Sequence, residues 1–398
     1  MKVAVVNLGC KVNRVESDSI AQSYLQRGAE IVSYREAETV VINTCTVTGE
    51  AEKKTRKTIR KVARENSKAQ LLVTGCAATI NPEELSLLSD RVVIVAKSDL
   101  IDPFVSGRVG ETFPTRVGIK VQDGCNHACS YCIVHVARGK AWSRPLDDVV
   151  EEAACLAQKG VKEVVLTGID MGSYAYQDGS TMYHLVDLLE RLIAVMPDTR
   201  LRLSSIEPCS VSSKLISFLA DHPESVCQHL HLPLQSGSTK VLKEMYRPYD
   251  AEQFLHICAA LKEAIPRLSL STDIIVGFPG ETDSDFQETL TVAKEVGFSK
   301  IHVFPYSKRQ GTPAAARADQ IHPDVVRKRE QELLTCAEDM RCAFANAIVG
   351  TVEDIVVEQP GIGTTESYFK VEVPSSIPVG SHIKRTLTSY DLSGIFKS

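Results

Sequence analysis

A chain of 398 residues exceeds one ordinary core and calls for two or three domains. Hydrophobic residues at 43% and charged residues at 24% exclude a disordered or fibrous chain, and a net charge of -5 excludes one drawn to nucleic acid by its overall field. Twelve cysteines in so large a chain point to metal or redox chemistry rather than disulfides; an N-terminus that enters a strand pattern at once, with no apolar window of about 18 residues, points to a cytoplasmic protein without a membrane partner.

In chain order, Lys2–Asn7 and residues 40–43, 71–74 and 92–95 are short β-branched runs, the first three each followed by an amphipathic helical pattern. Alternating strands and helices predict an open parallel α/β domain over residues 1–105. The stretch 102–115, with Pro103, Gly107, Gly110 and Pro114, has the composition of a linker. Over residues 116–336 six strand candidates follow, at 117–122, 163–167, 201–204, 229–232, 271–276 and 301–304, separated by helical patterns such as 146–159 and 251–264. They predict a complete or partial parallel (βα)6 barrel, its site at the C-terminal strand ends. A helix over 322–347 leads into residues 345–398, rich in Val, Thr, Gly and Ser with alternation at 368–373, which predict a small all-β barrel.

The strongest chemical signal is Cys125, Cys129 and Cys132, a CxxxCxxC loop directly after a strand. Three thiolates on one loop can hold three corners of a 4Fe-4S cubane and leave the fourth iron open. The alternative is a zinc knuckle completed by His127 or His135. A second signal is positional. Cys10, Cys45 and Cys76 each fall one to three residues beyond a predicted parallel strand, and all C-termini of a parallel sheet lie on one edge, so the three loops can converge into a second cluster site. Gly9 and Gly75 would let backbone approach a bulky cluster, whereas the plain alternative is three small core residues.

The CxxxCxxC loop at the start of a six-unit α/β barrel resembles the radical S-adenosylmethionine superfamily. That resemblance implies that the open iron chelates S-adenosylmethionine and reduces it to a 5'-deoxyadenosyl radical, with Gly168, Ser204, Glu207, Gln235 and Asp273 at strand ends as cofactor-binding positions. Two cysteine triads, a small β tail and the motifs Gly9 to Asn13, Asn43-Thr44-Cys45, Gly75-Cys76, Ala137-Arg138-Gly139, Ser143-Arg144-Pro145 and Phe304 to Ser307 resemble the methylthiotransferase family across essentially the whole chain. Lys11-Val12-Asn13, with 203–208 and 229–237, is most similar to its MtaB branch. The resemblance implies two 4Fe-4S clusters, on Cys10, Cys45, Cys76 and on Cys125, Cys129, Cys132; methylthiolation of N6-threonylcarbamoyladenosine at tRNA position 37; and an electron donor protein and a sulfur source as further partners. Isopentenyladenosine in tRNA, a ribosomal protein aspartate, or a non-catalytic metal-stabilised RNA-binding role are the alternatives.

Two features depart from the family. His135 and Val136 stand where proline and an aromatic are common, and the tail, which resembles the RNA-binding TRAM module, carries six acidic residues against four basic over 349–398. Lys53, Arg56, Lys57, Arg60, Lys61 and Arg64 recur at steps of three and one, forming a basic stripe that either binds RNA phosphates or is a solvated face paired with Glu52 and Glu65.

Overall fold

The computed structural model describes residues 1–100, 115–391 and 393–398, and the expected linker at 102–115 lies, apart from Thr115, outside the described residues. The N-terminal region is a five-stranded parallel sheet in the order Glu30–Ile31, Lys2–Asn7, Thr39–Thr44, Gln70–Gly75, Val92–Ile94. Thr39–Thr44 is buried along its whole length, as a central parallel strand covered on both faces must be, which explains the apolar run at 40–42. One cover is the helix Gly49–Glu65. Thr48 caps it by accepting from the Ala51 N–H at 3.1 Å, Glu50 and Glu52 sit in its first turn, and Ile59 and Val62 pack against Val40, Ile42 and Leu71.

Two three-stranded parallel sheets follow: Arg116–Lys120, Glu163–Thr167 and Arg200–Leu203, then His229–His231, Ser269–Val276 and Lys300–Pro305. Parallel bridges from Leu201 to Val226 and from Ser205 to His231 join them, so the six strands form one partial barrel in chain order. The sequence missed the hairpin Ala175–Asp178/Thr181–His184, which turns at Gly179 with φ of 56°.

The helix Pro323–Ile348, expected at 322–347, crosses residues 336 and 345. It runs unbroken through both, because Leu333, Cys336 and Ala337 pack into the barrel core while Ala345 and Ile348 pack into the core of the tail. The tail is a six-stranded sheet in the order His382–Thr386, Val352–Gln359, Ile362–Thr365, Lys370–Glu372, Ile395–Lys397, Ser389–Tyr390. It docks on two fully buried arginines. Arg200 donates to the Asp354 carbonyl at 2.9 Å and Arg202 to the Glu366 carbonyl at 2.8 Å, both guanidinium groups sharing the one carboxylate of Glu163 at 2.6 and 2.7 Å. No helix among the described residues is long and apolar enough to cross a membrane.

Candidate active site

Three loops at the C-terminal edge of the first sheet deliver cysteines. Cys10 is the N-cap of the helix Lys11–Gln26, Cys45 follows Thr39–Thr44, and Cys76 follows Gln70–Gly75 and starts the short helix Cys76–Ile80. Asn13 and Asn43 pin the loops together: the Asn13 amide donates to the Thr44 carbonyl at 2.8 Å, and the Asn43 amide donates to the Asn13 carbonyl at 3.0 Å. Gly75 is required here, since its φ is 93° and a Cβ would lie 2.5 Å from the Thr44 carbonyl oxygen.

Cys125, Cys129 and Cys132 share the loop between Gln122–Asp123 and the helix Val134–Arg138. Each sulfur has a donor: the His127 N–H at 3.4 Å from Cys125, the Arg247 guanidinium at 3.1 Å from Cys129, and the Val134 N–H at 3.4 Å from Cys132. Gln122, fully buried, ties this loop to the next strand end. Its carboxamide donates to the carbonyls of Asp123 and Gly124 and accepts from the N–H groups of Ile169 and Asp170, all at 2.9–3.0 Å.

Both triads line one cavity of about 470 Å³. The same wall holds Gly168, Ser204, Glu207, Gln235 and Asp273, so eleven sequence-flagged residues from two regions meet in one chamber. The basic stripe does not line it. There Lys53 pairs with Glu50, Arg56 with Glu52 and Glu84, and Arg64 with Glu65, while Lys57, Arg60 and Lys61 make no salt bridge among the described residues. His127 lines the chamber, 3.4 Å from Asp170, but His135 and Val136 do not; the wall there is Val134 and Arg138. Cys155, Cys209, Cys227, Cys258, Cys336 and Cys342 also lie elsewhere.

Lys11 and His231, from the motifs at 11–13 and 229–237, also line the chamber, as do His302 and Arg247, which were not singled out from sequence. Arg247 pairs with Glu207 and donates to the Tyr249 hydroxyl at 3.1 Å. His231 and His302 project from strands that were recognised, so the signal for them was inward alternation on the barrel wall.

Burial pushes the Cys125 thiol up to about 12 and the Cys132 thiol to about 11, and raises Cys45 and Cys76 as well. Such thiols stay protonated at neutral pH unless a metal takes the proton's place. The donor set therefore suits a metal group. Neither triad brings its ligand atoms within 4.8 Å of one another, as His231, Asp273 and His302 do, whereas sulfurs on a single tetrahedral zinc stand roughly 3.8 Å apart. A cluster of several irons fits these wider sets, with N–H donors on the sulfurs of the loop triad.

The chamber joins two regions through a buried clasp. Arg138, which follows the cysteine loop, bonds Glu16 at 3.0 Å, Asp123 at 2.7 Å and the Asn13 side chain at 2.5 Å, and Lys97 and Lys120 also reach Glu16. Burial pushes the Glu16 carboxyl up, but these three cations outweigh it and hold it far below the usual carboxylate range. A second clasp joins Arg309 to Glu52 and to the Thr46 hydroxyl.

Residues 119–293 match the radical SAM superfamily and residues 2–96 match the uncharacterized protein family UPF0004. The threonylcarbamoyladenosine tRNA methylthiotransferase MtaB of Bacillus subtilis is 37% identical over 406 residues, covering 93% of this chain and 89% of its own. The tRNA-2-methylthio-N(6)-dimethylallyladenosine synthase of Methylacidiphilum infernorum is 33% identical, covering 89% of this chain and 84% of its own. Among solved structures, the radical S-adenosylmethionine methyltransferase TsrM from Kitasatospora setae superposes with a TM-score of 0.56 at 15% identity, over 91% of this chain and 80% of that one, a likeness of fold.

Proposed function

The chain belongs to the methylthiotransferase family of radical S-adenosylmethionine enzymes, and from that membership we propose that it methylthiolates N6-threonylcarbamoyladenosine at tRNA position 37, beside the anticodon. The observation that carries this reading is the single chamber onto which both cysteine triads open. Cys125, Cys129 and Cys132 hold one 4Fe-4S cluster, Cys10, Cys45 and Cys76 hold a second, and Gly168, Ser204, Glu207, Gln235 and Asp273 bind S-adenosylmethionine between them. When bound, the clusters supply the electron that cleaves S-adenosylmethionine and a seat for the sulfur that becomes the methylthio group.

The chain's own residues do the rest. Gln122 fixes the turn at Gly168 relative to the cysteine loop, so the cofactor and its cluster share one frame. Arg247 brings permanent positive charge to the Cys129 sulfur and to Glu207, whose carboxylate it orients. The two clasps hold the N-terminal region against the barrel, so that both triads face one chamber. A base in an anticodon loop can be extruded into such a chamber. The basic stripe and the TRAM-like tail contribute outside contacts to tRNA, and an electron donor protein and a sulfur source of the cytoplasm complete the cycle.

Mass spectrometry of tRNA nucleosides from a deletion strain tests the reading. Loss of the methylthio threonylcarbamoyl nucleoside is expected; its persistence alongside loss of a methylthio dimethylallyl nucleoside would move the enzyme to the other substrate. Reconstituted protein is expected to hold about eight irons per chain. Zinc alone would point instead to a non-catalytic protein.

A further inference from the structure

Beside the chamber lies a smaller cavity of about 40 Å³, where barrel, N-terminal region and tail meet. It shares Lys11, His231 and His302 with the chamber and adds Lys300, Arg341 and Tyr368. Asp273 and His302 face each other in the ladder, and His231 is paired with Ser271, two residues before Asp273, so the three side chains share one sheet face. His231 Nε2 is 3.4 Å from Asp273, and its Nδ1 is 3.0 Å from the Ser271 hydroxyl.

Two imidazoles and a carboxylate within 4.8 Å are also a ligand set for a divalent transition metal. The surroundings decide against that use. Neither Lys11 nor Lys300 makes a salt bridge among the described residues, and Arg341 is held by the Phe369 ring at 4.4 Å and the Tyr390 hydroxyl at 3.2 Å rather than by a carboxylate. Three cationic side chains thus line this cavity and, among the described residues, no carboxylate does, Asp273 lying on the chamber side. A dication would be repelled there, whereas an anion would be drawn in with donors already converging on it.

We propose that this side cavity is a carboxylate receptor, in which Lys11, Lys300 and the His302 imidazole seat the threonyl carboxylate carried on N6 of the substrate base, with His231 held in place by Asp273 and Ser271. The inference rests on the threonylcarbamoyl reading above and makes the cavity the specificity determinant for it. Its volume holds roughly three waters, which a carboxylate would displace. A dimethylallyl group carries no charge and would leave these donors unpaired, the situation in which a polar site rejects an apolar analogue most strongly. Tyr368 brings the tail into the receptor, since its ring lies 5.4 Å from the Lys11 ammonium and stacks on His229.

The test uses cluster-reconstituted enzyme and two anticodon stem-loop RNAs, one bearing the threonylcarbamoyl nucleoside and one its neutral carboxamide. Wild type is expected to favour the acid by about 10- to 100-fold in kcat/KM. Lys11→Gln and Lys300→Gln are each expected to narrow that ratio severalfold, chiefly through KM, with Lys11→Arg restoring most of it and iron and sulfide contents confirming intact clusters. Equal use of acid and amide by wild type overturns the receptor, as does an equal loss of both in Lys11→Gln. So does one Mn(II) per holoenzyme, read by electron paramagnetic resonance and lost in His302→Gln, which would make the site a metal site. Modification of a dimethylallyl RNA in place of both overturns the substrate reading itself.

Discussion

The two cysteine triads reach the same chamber by opposite routes. Cys125, Cys129 and Cys132 lie within residues 125–132 on one loop, and their convergence needs only local turns such as the one at Gly124, whose φ is 71°. Cys10, Cys45 and Cys76 are spread over residues 10–76 and converge only when three parallel strands pair. The loop triad is therefore a property of a segment, and the sheet triad is a property of a fold. Separating them by mutation gives the largest expected effect. Cys129→Ala should abolish both S-adenosylmethionine cleavage and product, whereas Cys76→Ala should abolish methylthio product while cleavage continues, each variant retaining about four irons of eight. Release of 5'-deoxyadenosine, followed by chromatography, reads the difference. If Cys76→Ala also stops cleavage, the triads act as one unit and the contrast collapses.

The same contrast explains what could be read from sequence. The loop triad announces itself by spacing. The sheet triad became visible because VVINT before Cys45 and LLVTG before Cys76 are strand signals that place each cysteine at a sheet edge. Gly168, Ser204, Glu207, Gln235 and Asp273 came from the resemblance to the superfamily, which marks those strand ends as cofactor-binding, and not from a pattern of their own. Gln122 and Arg247 were not legible, because their partners are backbone groups and side chains brought near by the barrel, and no pattern in the chain marks such a partnership. His231 and His302 were hidden inside strands whose inward face is defined only once the sheet curves. The helix expected over 322–347 feeds the cores of both barrel and tail, and the hairpin at Gly179 went unseen because its strands lack β-branched runs.

A fold-built triad has to be held in register with the segment-built one, and the Glu16–Arg138 clasp does this. Glu16 is about 1% exposed and is the shared anion of three cations, so Glu16→Gln leaves buried charge unpaired. The expected cost is about 3–5 kcal/mol of N-terminal region stability, measured by denaturant unfolding. Misplacing one triad by about 1 Å should also slow methylthio transfer about a hundredfold, with cleavage of S-adenosylmethionine much less affected. Equal losses in both steps would show that the clasp supports the whole fold and does not set register. The native Glu16 carboxyl lies below its unfolded value, so its contribution is full above about pH 4.5 and fades as pH falls further.

The tail docks on buried charge too, with Glu163 held far below the usual carboxylate range as Glu16 is, but within the tail Glu353 has the opposite pH response. Burial, reinforced by Glu366, pushes the Glu353 carboxyl up to about 7, against hydrogen bonds from Ser367. A folded value above the unfolded 4.5 means that its stabilising proton is fully effective below about pH 4.5 and is lost as pH rises through about 7. Glu353→Gln is therefore expected to stabilise the tail at pH 8 by about 1–3 kcal/mol and to leave it nearly unchanged at pH 5, as thermal unfolding at the two pH values would show. A gain of equal size at both would place the effect in packing.

The smallest effect concerns the outer face of the fold-built triad. The helix Gly49–Glu65 begins just past Cys45, and its basic stripe radiates from that rim, whereas the loop triad has no comparable stripe beside it. Lys53, Arg56 and Arg64 are already paired with acids, so among the described residues the stripe's unpaired charge for phosphates is on Lys57, Arg60 and Lys61. Replacing these three by glutamine is expected to raise KM for tRNA severalfold at low salt, and to flatten the dependence of log affinity on log salt by about 0.7–0.9 for each phosphate no longer neutralised. S-adenosylmethionine cleavage without tRNA should not change. A salt slope identical to wild type would make the stripe a solvated helix face, and tRNA would then be guided to the chamber by the barrel and tail alone.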